Sequence, residues 1–199
     1  MRYTAIVCLA LAAALTAACS AQAQERTALS SDLSDYGIFA GLDMRFGDIA
    51  GEYAGLAGAH AAVRLKENIY LGLRGIGLAT DAERLAAAAG APDAELEFGY
   101  GGLLVGYMLP LPGALQLTAE ALIGAGGVKL DDDAAEDDDE RDAVFVFEPS
   151  LGAEIRLASF ARIGLGAGYR YVGGTDVAGL RDHDLRGVVG TATLRIGRF

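Results

Sequence analysis

The sequence contains no tryptophan, only two cysteines and only four prolines in 199 residues. Both cysteines, Cys8 and Cys19, precede residue 20, which excludes a disulfide scaffold or a cysteine metal site in the rest of the chain. No apolar run is as long as the roughly 18 residues that a transmembrane helix needs. Basic residues are outnumbered, and the net charge of −11 argues against nucleic-acid binding. An apolar share of 52% excludes an acidic disordered chain.

The N-terminal region has the pattern of an export signal. Arg2 is followed by an uncharged stretch from Ile6 to Ala18, which is too short to span a bilayer as a helix. Ala21-Gln22-Ala23 is a signal-peptidase pattern, so we predict a secretory signal peptide over residues 1–23. Cleavage before Cys19, with lipidation of that cysteine, is an alternative. Residues 24–34 are predicted to form a short periplasmic segment, and residues 35–199 one domain.

Eight stretches of the predicted domain alternate between apolar and polar or small residues. This period of two is typical of β-strands with one apolar face, and stretches of 11 residues or more match a tilted membrane span. We predict strands at residues 36–46, 54–65, 69–79, 94–109, 115–129, 143–157, 161–172 and 185–198. In the fourth stretch, we assign Leu96, Phe98, Tyr100, Leu104 and Met108 to the lipid face, opposite Glu95 and Glu97.

The connections between these stretches alternate in length. Three are short, at residues 66–68, 110–114 and 158–160, and four are longer and more polar, at residues 47–53, 80–93, 130–142 and 173–184. Short turns at one end and long loops at the other are typical of outer-membrane barrels. The predicted fold is all-β, an eight-stranded antiparallel up-and-down transmembrane β-barrel with the longer loops outside the cell. A soluble lipocalin-like barrel is the alternative, with apolar residues inside.

The export signal, the eight strands, the alternating connections and the final Phe199 together resemble the small OmpA/OmpX-type outer-membrane β-barrel family. The resemblance covers residues 35–199 and implies insertion into outer-membrane lipid of a Gram-negative cell by the barrel-assembly machinery, through the last strand. Phe199 is out of phase with the lipid-facing Val188, Leu194 and Ile196, unlike the terminal aromatic residue of that family. An aromatic girdle is expected from Tyr36, Tyr100, Tyr107, Tyr169, Tyr171 and Phe199.

The face opposite lipid would line one narrow lumen that is rich in charge. Such charges need partners, because an isolated buried charge is costly. We predict an internal ion-pair network that closes the lumen, with a narrow conduit for water, protons or ions as the alternative. Its candidates are Asp43, Arg45, Arg64, Arg74, Glu120, Glu148, Glu154, Arg156, Arg162, Arg170 and Arg195, with Glu95, Glu97 and His60 on the same predicted face.

Four other features suggest more specific chemistry. Residues 131–142 carry nine acidic residues and suggest a solvated loop; weak divalent-cation ligands there would be Asp131, Asp133, Asp137 and Asp139. Asp182-His183-Asp184 is interpreted as a surface loop, and residues 81–90 as a two-turn helix. His60 and Ser150 share the inward face, where a hydrogen-bonded interior histidine is favoured over a catalytic pair.

No catalytic motif or cofactor site is evident, so the predicted function is a non-enzymatic structural or surface-interaction role. The extracellular partner is left open. A narrow solute channel and a lipid-modifying enzyme are the alternatives.

Overall fold

A computed structural model describes residues 36–49, 51–65, 68–80, 94–132, 140–174 and 182–199. In this part of the chain eight antiparallel strands pair in sequence order, and β1 also pairs with β8 to close a barrel. The predicted fold is confirmed. The elements are β1 Gly37–Ile49, β2 Glu52–Arg64, β3 Ile69–Leu78, β4 Ala94–Pro110, β5 Leu115–Asp132, β6 Glu140–Ala158, β7 Ala161–Gly173, α1 Asp182–Leu185 and β8 Gly187–Gly197.

Strands of 10 to 19 residues form the wall. Large apolar side chains cover the outside, among them Leu73, Leu151 and Leu165, each about 70% exposed. This arrangement matches a lipid-facing surface and is the reverse of a lipocalin-like barrel. Among the described residues no helix is long and apolar enough to cross a bilayer.

We call the end that carries the connections after β2, β4 and β6 the turn end, and the opposite end the loop end. The connections at the turn end have the predicted positions. The predicted long loop at residues 47–53 is wrong, because Ile49 pairs with Glu52 and only residues 50–51 separate β1 from β2. Gly51 adopts a φ of 81°, and its N–H donates to Asp48 Oδ1 at 3.0 Å. The sequence predicts a longer loop here because polar residues at the ends of β1 and β2 flank the tight turn.

The predicted loop at residues 130–142 is also too long. β5 continues to Asp132 and β6 begins at Glu140, so only residues 133–139 lie between them. Acidic residues have a low β-propensity, so the sequence predicts a loop across the whole acidic segment. Pairing with the neighbouring strand nevertheless supports strand structure at both of its ends. The predicted helix at residues 81–90 and the predicted segments 1–23 and 24–34 lie outside the described residues.

β4 faces the opposite way from the prediction. Phe98, Tyr100, Leu104 and Met108 are buried inside the barrel, and Glu97 is exposed. Both faces of β4 carry large apolar residues, so the polarity of the side chains does not tell which face points into the barrel. The neighbours decide it, because Leu104 lies opposite Gly72 and Tyr100 opposite Gly126, where the interior has room for large side chains.

Two apolar clusters fill the ends of the barrel interior. The loop-half cluster comprises Ile49, Ala54, Leu56, Ile76, Phe98, Tyr100, Leu122, Val128, Val144, Val146, Val172 and Leu185. The turn-end cluster comprises Phe39, Ala62, Tyr70, Leu104 and Met108, with Phe199 packed against it. Phe199 stacks on Phe39 with ring centroids 5.3 Å apart, so its out-of-phase position places it inside the barrel and not in a lipid girdle. Tyr100 likewise leaves the predicted girdle, whereas Tyr107, Tyr169 and Tyr171 are exposed.

Candidate functional site: the charge belt inside the barrel

Between the two apolar clusters lies a layer of buried charged side chains. It contains Asp43, Arg45, His60, Arg74, Glu120, Glu148, Glu154 and Arg195, which we call the charge belt. Alternation along each strand places these side chains inward. Facing glycines provide space, since Gly41 lies opposite His60 and Gly106 opposite Glu120. A Cβ atom at Gly41 would overlap the His60 ring, so His60 occupies the volume that Gly41 leaves empty.

Glu120 on β5 is the centre of the belt. Its Oε2 accepts a hydrogen bond from Arg74 Nη2 at 2.8 Å, and its Oε1 accepts from Arg195 and from the Tyr70 hydroxyl. The three donors come from β3 and β8, so one carboxylate joins strands that are distant in sequence. Charge-assisted hydrogen bonds of this kind are stronger than neutral ones.

His60 lies between an acceptor and a donor. Its Nδ1 is 2.7 Å from Asp43 Oδ2, and Arg195 Nε lies 3.2 Å from its Nε2. A guanidinium N–H can only donate, so Nε2 accepts, Nδ1 carries the proton and the ring is neutral. Asp43 also accepts from Thr193 Oγ1 at 3.1 Å and pairs with Arg74 Nε at 3.2 Å. Both ring nitrogens are therefore occupied, as expected for a hydrogen-bonded interior histidine.

The remaining two carboxylates have partners of their own. Glu148 pairs with Arg45 and accepts a hydrogen bond from the Tyr100 hydroxyl at 2.7 Å. Glu154 accepts a hydrogen bond from Gln116 Nε2 and forms an ion pair with Arg195 Nη1, both at 2.7 Å. Beside Glu154 a cavity of about 20 Å³ is lined by hydroxyl groups, including Thr118 and Thr193. That volume suits about one water molecule.

The structure separates the predicted network into parts. Arg170 is buried nearer the loop end, where it donates to the carbonyls of Leu185 at 2.7 Å and Asp48 at 2.9 Å. Arg156 is exposed at the mouth of the turn end, away from the charge belt, and donates to the Gly113 carbonyl at 3.1 Å. Arg64 and Arg162 are half-buried at the turn end and form no ion pair with a described carboxylate. Glu97 lies outside the lumen altogether.

Sequence reasoning missed the neutral members of the belt. Tyr70, Tyr100, Gln116 and Thr193 supply hydrogen bonds to its carboxylates. The inward phase of Tyr70, Gln116 and Thr193 was available as a signal. For Tyr100 no signal existed, because the phase of β4 was ambiguous.

The other candidate sites have less structure around them. His183 in α1 is exposed, and its Nε2 lies 3.4 Å from Asp184 Oδ1, as expected for a surface segment. Asp131 belongs to β5, and Asp133, Asp137 and Asp139 lie outside the described residues. Where the structure is described, no group of three or more histidine, cysteine or acidic side chains is arranged to hold a metal ion.

Comparisons with known proteins agree with the fold. The family model of the outer membrane protein beta-barrel domain matches residues 8–191. Neisserial surface protein A has a similar structure, with a TM-score of 0.62 and 11% identity, over 82% of this chain and 97% of that one. The attachment invasion locus protein Ail of Yersinia pestis aligns with a TM-score of 0.48 and 14% identity, over 81% and 95%. A search of curated protein sequences finds no match.

Proposed function

Because the chain belongs to the outer membrane protein beta-barrel family, we propose that it is a non-conducting outer-membrane anchor that presents its loops at the cell surface. Family membership and the fold it shares with neisserial surface protein A point to the bacterial outer membrane. The proposal adds to this a role in structure or surface interaction, without enzymatic activity.

The observation that carries the proposal is the way side chains fill the interior. Four carboxylates of the belt each have at least two hydrogen-bond or ion-pair partners, and apolar clusters lie above and below them. Solute passage would require breaking buried ion pairs, which leaves uncompensated charge and is costly. This arrangement supports a closed barrel over the narrow conduit.

The orientation of the barrel in the membrane follows from the proposed location in the outer membrane. With eight strands, both ends of the barrel domain lie at the turn end, which in this proposal faces the periplasm. The connections after β3, β5 and β7 then face the outside, together with the acidic residues around residues 133–139. Export would use the predicted signal peptide at residues 1–23.

Assembly is proposed to use the lipid face of β8. Val188, Leu194 and Ile196 are exposed on that face, whereas Phe199 packs inside the barrel. Recognition by the assembly machinery would then rest on these three side chains and on the open edge of β8 before it pairs with β1.

The test combines fractionation, electrophoresis and electrical recording. We expect the protein in the outer-membrane fraction, with a band that shifts on boiling and no unitary conductance in planar bilayers. The double variant Phe39→Ala with Leu104→Ala opens the turn-end cluster. It serves as a positive control, because it tests whether the recordings can detect a partly opened barrel. Reproducible conductance steps from the unaltered protein would overturn the proposal in favour of a channel. Altered lipid A on overexpression would favour an enzyme.

A further inference from the structure

Among the described side chains, those toward the turn end of the interior carry more positive than negative charge. Moving from the belt toward this end, the charged residues in the inward phase of their strands are Arg64 on β2, Arg156 on β6 and Arg162 on β7. Glu154 is the last described acidic residue on that face, and it is already bonded to Arg195 and Gln116. Lys66 and Glu67, which lie outside the described residues, add no net formal charge.

Strand register brings these arginines together. Arg156 lies directly opposite Arg162 in the β6–β7 ladder, and Arg162 lies opposite Arg195 in the β7–β8 ladder. Like charges opposite each other in a sheet are destabilising. Carboxylates of the belt neutralise Arg195. Arg156 and Arg162 form no ion pair with a described carboxylate; at longer range Arg162 is attracted by Glu154 and repelled by Arg156 and Arg64.

Arg162 is held in place with donor capacity to spare. Its guanidinium carbon lies 4.0 Å from the centroid of the Phe199 ring, a cation–π contact that fixes the plane of the group. Its Nε is buried and has no hydrogen-bond partner. An oriented guanidinium with a free donor, beside two more arginines, has the chemistry that recognises phosphate oxygens.

We propose that Arg64, Arg156 and Arg162 form an anion site for a phosphate group inside the turn-end mouth of the barrel. A bound phosphate would neutralise the cross-strand repulsion and accept from the unpartnered Arg162 donor. The phosphate group could be free in solution or belong to the headgroup of a phospholipid at the rim. The proposal requires only the barrel itself and is independent of which way the barrel faces in the membrane.

The first experiment measures stability in two anions. The full-length protein in neutral detergent is heated in phosphate or in chloride at equal ionic strength, and the midpoint of loss of the unboiled band is recorded. We expect phosphate to raise the midpoint of the unaltered protein, since a ligand that binds only the folded state stabilises it. Arg162→Gln should lose most of that rise, with phosphate affinity reduced about tenfold.

Two further variants make the result specific. Arg156→Gln should be at least as stable as the unaltered protein in chloride, because the repulsion is removed, and should show a reduced phosphate effect. Arg198→Gln is the matched control. Arg198 is exposed just beyond β8, and its substitution removes one positive charge from the same end of the barrel. It should keep the full effect. An equal loss of the phosphate effect in Arg198→Gln would overturn the site.

A second experiment distinguishes the two sources of phosphate. Phosphatidylglycerol is added to the detergent-solubilised protein, and retained lipid is measured by native mass spectrometry. Retention by the unaltered protein that is lost in Arg162→Gln would identify a lipid headgroup. A phosphate effect without lipid retention would identify a soluble phosphate. Absence of both effects would contradict the proposal.

Discussion

The middle of the barrel interior and its two ends are filled by different chemistry. In the middle, Glu120, Asp43, Glu148 and Glu154 are each held by specific donors from other strands. At the ends, buried aliphatic and aromatic side chains pack against one another, and only Tyr70 and Tyr100 of the two clusters also donate to carboxylates of the belt. The middle depends on each partner being present, because a missing partner leaves a buried charge. The ends depend on volume, so their stability should decline in smaller steps.

The largest effect should come from removing the centre of the belt. Glu120→Ala leaves Arg74 and Arg195 without their shared carboxylate, and we expect a loss of about 3–5 kcal/mol in the free energy of unfolding. Denaturant titration in lipid vesicles measures it. Glu97→Ala is the control, because Glu97 is exposed, and its effect should stay within about 0.5 kcal/mol. Equal effects of the two variants would mean that the belt contributes nothing beyond surface charge.

A deletion in the apolar turn end should cost somewhat less. Leu104→Ala opens a cavity in the turn-end cluster and should lower the unfolding free energy by about 3 kcal/mol. Leu103, its neighbour in sequence, faces outward and is 42% exposed. Leu103→Ala removes contact with lipid but creates no cavity, so its cost should be about half as large. The reverse order in the same titration would mean that β4 has the phase first predicted from the sequence.

The smallest effect should come from a single hydroxyl where the belt meets the loop-half cluster. Tyr100→Phe keeps the ring and removes one hydrogen bond to Glu148, so we expect a loss of about 1–2 kcal/mol. Tyr107→Phe, on the exposed face of the same strand, should change stability by less than about 0.5 kcal/mol. A neutral result for both would show that Arg45 alone satisfies Glu148.

The same contrast explains what the sequence could predict. Where the interior is polar, as on β1 with Asp43 and Arg45, alternation distinguishes the two faces, and the inward side was predicted correctly. Where the interior is apolar, as beside Leu104, both faces of the strand look alike. The phase of β4 is then set by glycines on β3 and β5, which a reading of β4 alone does not include.

Partners within the belt lay beyond sequence reasoning for a different reason. Arg195 and Arg162 are both inward arginines in the last two strands, yet one is bonded to two carboxylates and the other is not. The two arginines lie directly opposite each other in the β7–β8 ladder, so the difference follows from where the carboxylates of the other strands lie, which depends on the register of the whole barrel. Asp48 and Glu52 led to the wrong loop length for a different reason, because polar residues at the strand ends beside a two-residue turn have the composition expected of a loop.

The position of Arg195 also bears on the order of events as the barrel forms. Its side chain, on the last strand, bonds to His60 on β2, Glu120 on β5 and Glu154 on β6, contacts that join residues as many as 135 positions apart. Such long-range contacts form late, because their loop entropy must be lost first. Until β8 joins the sheet, Glu154 lacks its ion-pair partner and Glu120 keeps Arg74 and Tyr70 but not Arg195. Adding the last strand therefore both closes the wall and completes the ion pairs of the belt, and a chain that stalls before this step remains incomplete in both respects.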